Sequence, residues 1–224
     1  MAEVTGDELK RLNALVDHLG YNLDPSILIG GWATQLRVGG EVSRDIDLII
    51  NSQELRSTLR EVLTDYSENA HHSGGKKVRG EVNGSHVDAY IPHESILGEK
   101  LRLDVAVLTK YTDTDIIKGW LLLTLDAHLA TKLAALLDRP DTEKGAKDAR
   151  EVEALLRQPV TATTTVAILL EASKLPPEEV IGHVAQAFDL IPDRVRANKE
   201  LRRKLATQKR EWVDEAERQV RRLS

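Results

Sequence analysis

The sequence contains no cysteine. Disulfides, thiolate metal sites and cysteine nucleophiles are therefore excluded together, and the composition fits a reducing compartment. Aromatic side chains are also scarce, at 4% of 224 residues, which argues against single-strand binding on a row of stacking rings. Basic charge is not in excess either, since 31 Lys and Arg stand against 36 Asp and Glu for a net charge of -5. Binding nucleic acid by overall charge alone is thereby ruled out, although a local basic patch is not. Long apolar runs are missing too. Trp120–Leu123 and Val166–Leu170 fall far short of the roughly 20 residues of a membrane-spanning helix. The N-terminal MAEVTGDELKRL lacks the basic start and apolar centre of a signal peptide. The expectation is a cytoplasmic protein with no membrane partner.

Apolar residues are present at 41%, enough for a real core. Charge is unevenly placed along the chain. Residues 191–224 carry eleven Lys or Arg against six Asp or Glu, which leaves the first 190 residues at a net charge of -10. The dense part of this basic tail, Arg194, Arg196, Arg202, Arg203, Lys204, Lys209 and Arg210, reads either as a solvated mixed-charge helix or as a grip on an RNA backbone.

Thr5 and Glu8 stand at capping-box spacing, Leu9, Leu12, Val16 and Leu19 recur at helical intervals, and Gly20 supplies a stop, so a helix is expected there. Ile27-Leu28-Ile29 before Gly30-Gly31 reads as a buried strand entering a tight turn, with a short helix over Trp32–Val38. A second apolar strand is expected over Asp45–Ile50, a helix over Ser52–Tyr66 and a loop over His71–Lys77. Val78–Val82 and His86–Ile91 flank Asn83-Gly84, the pair favoured by a type I′ turn, and read as a hairpin. Lys100–Leu108 adds a further strand. Beyond about Ile116 the pattern becomes helical, over Thr124–Asp138, Lys144–Leu156, Thr161–Lys174, a segment opened by Pro177, and Pro192–Leu223. Strands early and helices late imply an α+β protein, with a small mixed β-sheet flanked by helices over 1–115 and a helical C-terminal half over 116–224.

Gly30-Gly31 followed by Asp45-Ile46-Asp47 is the most informative pattern. Asp45 and Asp47 alternate with Ile46 and so share one strand face, about 7 Å apart. Their mutual repulsion is relieved by a cation between them, and an oxygen-preferring divalent ion such as Mg2+ suits the pair. The Gly-Gly turn lets backbone approach a ligand closely, with free amides to hold phosphate oxygens. Asp88 lies on the second strand of the hairpin. If that strand pairs beside the Asp45 strand, three acids converge, an arrangement suited to two metal ions.

Ile29-Gly30-Gly31 with Asp45-Ile46-Asp47-Leu48 resembles the signature of the DNA polymerase beta-like nucleotidyltransferase superfamily, in which a Gly-Gly or Gly-Ser turn precedes an Asp-x-Asp or Asp-x-Glu pair. The wider run GGWATQLRVGGEVSRDIDLII is similar to the AbiEii and MenT branch, the toxin halves of bacterial toxin–antitoxin pairs. That branch also implies a lysine on a following helix and a Lys-Asp step beyond it. Leu129-x-x-Lys132-Leu133 and Lys147-Asp148-x-x-Glu151-Val152 match this arrangement. The resemblance spans residues 27 to 157, and the end of the chain carries no matching motif.

The resemblance implies a nucleotidyltransferase core over 1–115, with the helices of 116–224 contributing to the active-site cleft. The implied reaction transfers a nucleoside monophosphate from a nucleoside triphosphate (NTP) to an acceptor hydroxyl, releasing pyrophosphate. Asp45 and Asp47 are the implied Mg2+ ligands. Asp88 would join them to hold a second ion and serve as general base. Asp104, in Leu103-Asp104-Val105, is a rival for that third position, and Asp88 is preferred because its hairpin is better defined. Gly30, Gly31, Ser43 and Arg44 are expected to bind the nucleotide. Lys132 has apolar neighbours three and four positions away, which suits a side chain snorkelling to solvent; the resemblance makes it a contact to the triphosphate. Asp148 would orient Lys132 or the nucleotide. Lys76, Lys77 and Arg79 read as a solvated face, and His71-His72 lacks a matching ligand set. The implied acceptor is the 3′ end of tRNA, whose modification blocks translation, and the implied protein partner is a cognate antitoxin. An aminoglycoside-type antibiotic and a protein hydroxyl are the alternative acceptors.

Overall fold

A computed structural model describes residues 26–72, 75–82, 84–115, 117 and 119–223. The helix expected over Thr5–Leu19 lies outside the described residues, as does Asn83 of the hairpin turn. In chain order the elements are β1 (Ile27–Ile29), α1 (Gly30–Val38), β2 (Asp45–Ile49), α2 (Gln53–Val62), β3 (Thr64–His72), β4 (Gly75–Val82) and β5 (Ser85–Tyr90). There follow β6 (Ile96–Leu97), β7 (Leu103–Asp104), α3 (Val105–Leu108), β8 (Leu121–Leu122), α4 (Leu125–Asp138) and α5 (Glu143–Leu155). The last helices are α6 (Ala162–Ala172), α7 (Pro177–Arg194) and α8 (Lys199–Leu223).

Six strands form one mixed sheet in the order β3-β4-β5-β2-β1-β8, and β6 and β7 form a separate pair. β2 runs antiparallel to β1 and parallel to β5, with Asp47 opposite both Ile29 and Asp88. The sheet has apolar matter on both faces. Leu28, Ile46 and Leu48 point into one core with Trp32, Leu55 and Leu59, whereas Ile27, Ile29, Ile49 and Tyr90 join the larger core built with α4 to α8. Two-residue alternation then explains the placement of the acids. Asp47 and Asp45 continue the face that Ile49 begins, so a face that is core at one end of β2 carries carboxylates at the other. The observed α+β architecture is the expected one.

Three segments differ from expectation. Helix α2 stops at Val62 and the chain turns into β3, where a helix and then a loop were expected. Strand β3, TDYSENAHH, is an edge strand with register irregularities against β4, so no alternating apolar pattern marks it. The strand expected over Lys100–Leu108 shrinks to Leu103–Asp104, because the Asp104 side chain accepts from the Ala106 amide and caps α3. The long helix expected from Pro192 is instead two elements. Pro192 lies in the last turn of α7, Arg196 adopts a φ of 52°, and Asn198 accepts from Leu201 N at 2.9 Å to open α8 afresh. In the helical half, Leu205, Trp212, Ala216 and Val220 bury one stripe of α8, and Trp212 meets Phe188 of α7 edge-on with ring centroids 5.3 Å apart.

Candidate active site

The turn from β1 into α1 forms the roof of the site. Gly30 has a φ of 67°, and a Cβ there would lie 2.2 Å from Asp47 Oδ2. Only glycine lets the backbone pass this close over the carboxylate. Gly31 is equally confined, since its Cβ would come within 2.8 Å of Ser43 Cβ and 3.4 Å of Lys147 Nζ. Among the described residues no side chain caps the start of α1, whose N-cap is Ile29, and no acidic residue sits in its first turn. The first amides of α1 and the positive end of its dipole are thus left for an anion.

The floor is β2 and β5. Asp45 and Asp47 share one face of β2, as expected, and Asp88 faces Asp47 directly across the parallel pair. Their surroundings differ. Asp47 makes no ion pair among the described residues, and burial, then Asp88 and Asp45, push its carboxyl from 3.8 to about 6. Asp45 is paired with Lys144 of α5 at 2.9 Å. Asp88 is only 8% exposed and has both oxygens engaged, Oδ2 by Lys77 Nζ at 2.6 Å and Oδ1 by Arg79 Nε at 2.8 Å. Burial alone would push Asp88 up, but the hydrogen bonds from Arg79 and Lys77 hold it below the ordinary carboxylate range.

The wall is α4 and α5. Lys132 is 5% exposed, and its ammonium lies 3.2 Å from Asp148 and also pairs with Glu151. Burial alone would lower its pKa; Glu151 and Asp148 outweigh this and raise it. Asp148, at 2% exposure, is shared with Arg139 Nε at 2.7 Å. Lys147 donates to the Val42 carbonyl at 3.4 Å, beside Ser43. Arg44 is exposed and makes no ion pair among the described residues. Asp104 stands apart from this cluster, in the separate two-stranded sheet, paired with Lys174.

The geometry thus brings together Gly30, Gly31, Ser43, Asp45, Asp47, Asp88, Lys132 and Asp148. Several participants carried no legible sequence signal. Lys77 is buried against Asp88 and 5.6 Å from the Tyr90 ring, where a solvated face was expected. Arg139 and Lys144 carry no such signal either, because their partners Asp148 and Asp45 belong to other elements. Glu151 was seen only as part of the Lys-Asp-x-x-Glu spacing.

Among the described residues no group of three or more acidic or imidazole side chains is arranged to hold a metal ion. Asp45 and Asp47 nevertheless fit one divalent cation. They are oxygen donors on one face, and Asp47, raised first by burial and then by Asp88 and Asp45, has no paired cation among the described residues.

This strand–glycine turn–Asp-x-Asp site occurs in a chain whose residues 24–223 match the AbiEii family, described as the nucleotidyl transferase AbiEii toxin of type IV TA systems. The chain belongs to the AbiEii family. Membership agrees with the expected superfamily and toxin branch and makes the protein one of a family of enzymes that transfer nucleotides. Among curated proteins no match was found. Similar solved structures include an antigenic nucleotidyltransferase-like protein from Paracoccidioides brasiliensis, at 18% identity over 82% of this chain and 90% of that one, TM-score 0.49. ANT(2")-Ia in complex with adenylyl-2"-tobramycin matches at 15% identity over 73% and 93%, TM-score 0.49. The Thermotoga maritima CCA-adding enzyme complexed with tRNA matches at 16% identity over 85% of this chain and 53% of that one, TM-score 0.36.

Proposed function

We propose that this AbiEii member transfers a nucleoside monophosphate from an NTP to the 3′ end of tRNA, as the toxin of a toxin–antitoxin pair. The observation that carries the site assignment is the uncapped start of α1 standing directly over Asp47. The first-turn amides, Ser43, Arg44 and Lys132 hold the triphosphate, and Asp148 fixes Lys132. Asp45 and Asp47 would hold Mg2+, which would supply neutralisation of phosphate charge. A second ion would need Asp88, and there it competes with Lys77 and Arg79. The acceptor oxygen attacks the α-phosphorus, forming an O–P bond as the bond to the β-phosphate bridging oxygen breaks and pyrophosphate leaves. Asp88 takes the hydroxyl proton after exchanging Lys77 or Arg79 for that hydroxyl. Catalysis is chiefly positioning and charge neutralisation.

The cations at the start of α8 support an RNA acceptor. Arg194 at the end of α7 pairs with Asp141, in the same α4–α5 loop as Arg139. The corner that leads into α8 is therefore tied to the loop beside the site. Within the basic tail, Arg202, Lys209, Arg218 and Arg221 are paired with acids. Lys199, Arg203 and Lys204 are exposed and unpaired among the described residues, free to meet phosphates. The family's place in toxin–antitoxin systems supports a cognate antitoxin as the protein partner. No helix among the described residues is long and apolar enough to cross a membrane.

The test is incubation of the purified protein with each labelled NTP, Mg2+ and total tRNA, beside a panel of aminoglycosides and a protein extract. Label on the tRNA 3′ end is expected, and Asp45→Ala and Asp47→Ala should each reduce it to background while the variants stay folded. Label confined to an aminoglycoside or to protein would replace the tRNA assignment, and transfer retained by both variants would remove Asp45 and Asp47 from the site.

A further inference from the structure

His128 takes no part in the chemistry above, yet it is 1% exposed and lies on α4 one helical turn before Lys132. Its Nε2 is 2.8 Å from Thr34 Oγ1 of α1. Thr34, also 1% exposed, donates in turn to the Gly30 carbonyl at 3.2 Å. A threonine hydroxyl has one proton. With that proton directed to Gly30, the bond between Thr34 and His128 must use the Nε2–H of the ring. Nδ1 is then a bare acceptor, and it has no hydrogen-bond partner among the described residues. Burial, followed by the nearby charges of Lys132 and Arg37, lowers the imidazole pKa well below its ordinary value and keeps the ring neutral.

As packing, this is a poor choice. A buried ring with one unpaired nitrogen costs stability that an aliphatic side chain of similar size would not. What the histidine adds is a directed bond between two helices, ending on one particular carbonyl. That carbonyl belongs to the residue with a φ of 67° whose backbone passes over Asp47. The helix on the other side of the bond carries Lys132.

We propose that His128 is a positioning residue that acts through Thr34 on the Gly30 carbonyl and so fixes the Gly30–Gly31 turn relative to Lys132. This rests on the nucleotidyl-transfer reading, in which the turn and Lys132 grip the same triphosphate. With the tie in place, the two grips are held at one spacing before the nucleotide arrives, and the cost of ordering them on binding is reduced.

The test compares Thr34→Val, His128→Leu, the double variant and His128→Gln, all as full-length chains. Binding of a non-hydrolysable NTP analogue with Mg2+ is measured by calorimetry, beside thermal unfolding and steady-state kinetics. Thr34→Val and His128→Leu should each weaken analogue binding about five- to tenfold and raise KM for NTP more than they lower kcat. The double variant should be no worse than the poorer single one, because both substitutions break the same tie. His128→Gln, which retains an N–H donor, should recover part of the affinity. Folded variants with unchanged analogue affinity, or penalties that add in the double variant, would overturn the proposal. If His128→Leu fails to fold, Thr34→Val alone decides, since it preserves side-chain volume. A wild-type chain that binds no nucleotide overturns the functional reading along with this one, whereas tight wild-type binding with unaffected variants overturns this one alone.

Discussion

Asp47 lies under the Gly30 backbone with Asp45 two residues away and Asp88 across the strand pair, and its carboxyl titrates at about 6 instead of 3.8. The folded-state value exceeds the unfolded one, so the stabilising contribution of the protonated acid is present below about pH 4 and is lost as pH rises through 6. Above that range the ionised carboxylate costs the metal-free chain about 2–3 kcal/mol, a shift of roughly two units discounted for partial exposure. Asp47→Asn removes the titration. In urea unfolding with EDTA at pH 8, the variant should be the more stable protein by that amount, and at pH 4 the two should coincide. Adding Mg2+ at pH 8 should stabilise the wild type and leave Asp47→Asn nearly unmoved. A wild type more stable than the variant in EDTA would contradict the placement of Asp47 as a buried carboxylate without a paired cation.

At the level of elements, the strand-to-helix switch at Gly30 joins a positive φ to a blocked Cβ position, whereas Gly84 has the positive φ alone. Gly84 has a φ of 75° with nothing within 4 Å of its would-be Cβ, whereas Gly30 has a φ of 67° and the Asp47 carboxylate in the way. Both Gly84→Ala and Gly30→Ala should lose about 1–3 kcal/mol from backbone strain, read by urea unfolding. Only Gly30→Ala should also lose NTP binding, since its methyl group displaces Asp47. Equal nucleotide affinity in the two variants would separate the turn from the site. Much of this was legible beforehand. The runs Ile27–Ile29 and Asp45–Ile49 are apolar enough to announce strands, and the alternation Asp-Ile-Asp already sets both acids on one face. Edge strand β3 was not legible, because a strand of polar residues has no apolar period to read. The ion pairs were hidden for another reason, since Asp45 and Lys144 meet across 99 residues of chain. Lys77 looks like any surface lysine until β4 is laid against β5 in register with Asp88.

On the scale of the whole molecule, the net charge of -5 averages an acidic body and a basic end. If the unpaired cations Lys199, Arg203 and Lys204 meet RNA phosphates, tRNA affinity should fall steeply with salt. Replacing any one of them with Glu should reduce the slope of log affinity against log salt by about 1, measured by fluorescence anisotropy. An unchanged slope in all three variants would remove α8 from the RNA interface.

The cleft itself behaves in the opposite way. Its carboxylates Asp45, Asp88, Asp148 and Glu151 are already matched by Lys77, Arg79, Lys132, Arg139, Lys144 and Lys147. An incoming magnesium–triphosphate finds few idle charges and must trade places with internal counter-ions. Such an exchange leaves the number of released salt ions small, so nucleotide affinity should change little between 50 and 200 mM salt while RNA affinity collapses. Salt would then act as a selective solvent for the two substrates, stripping the acceptor from an enzyme that keeps its nucleotide.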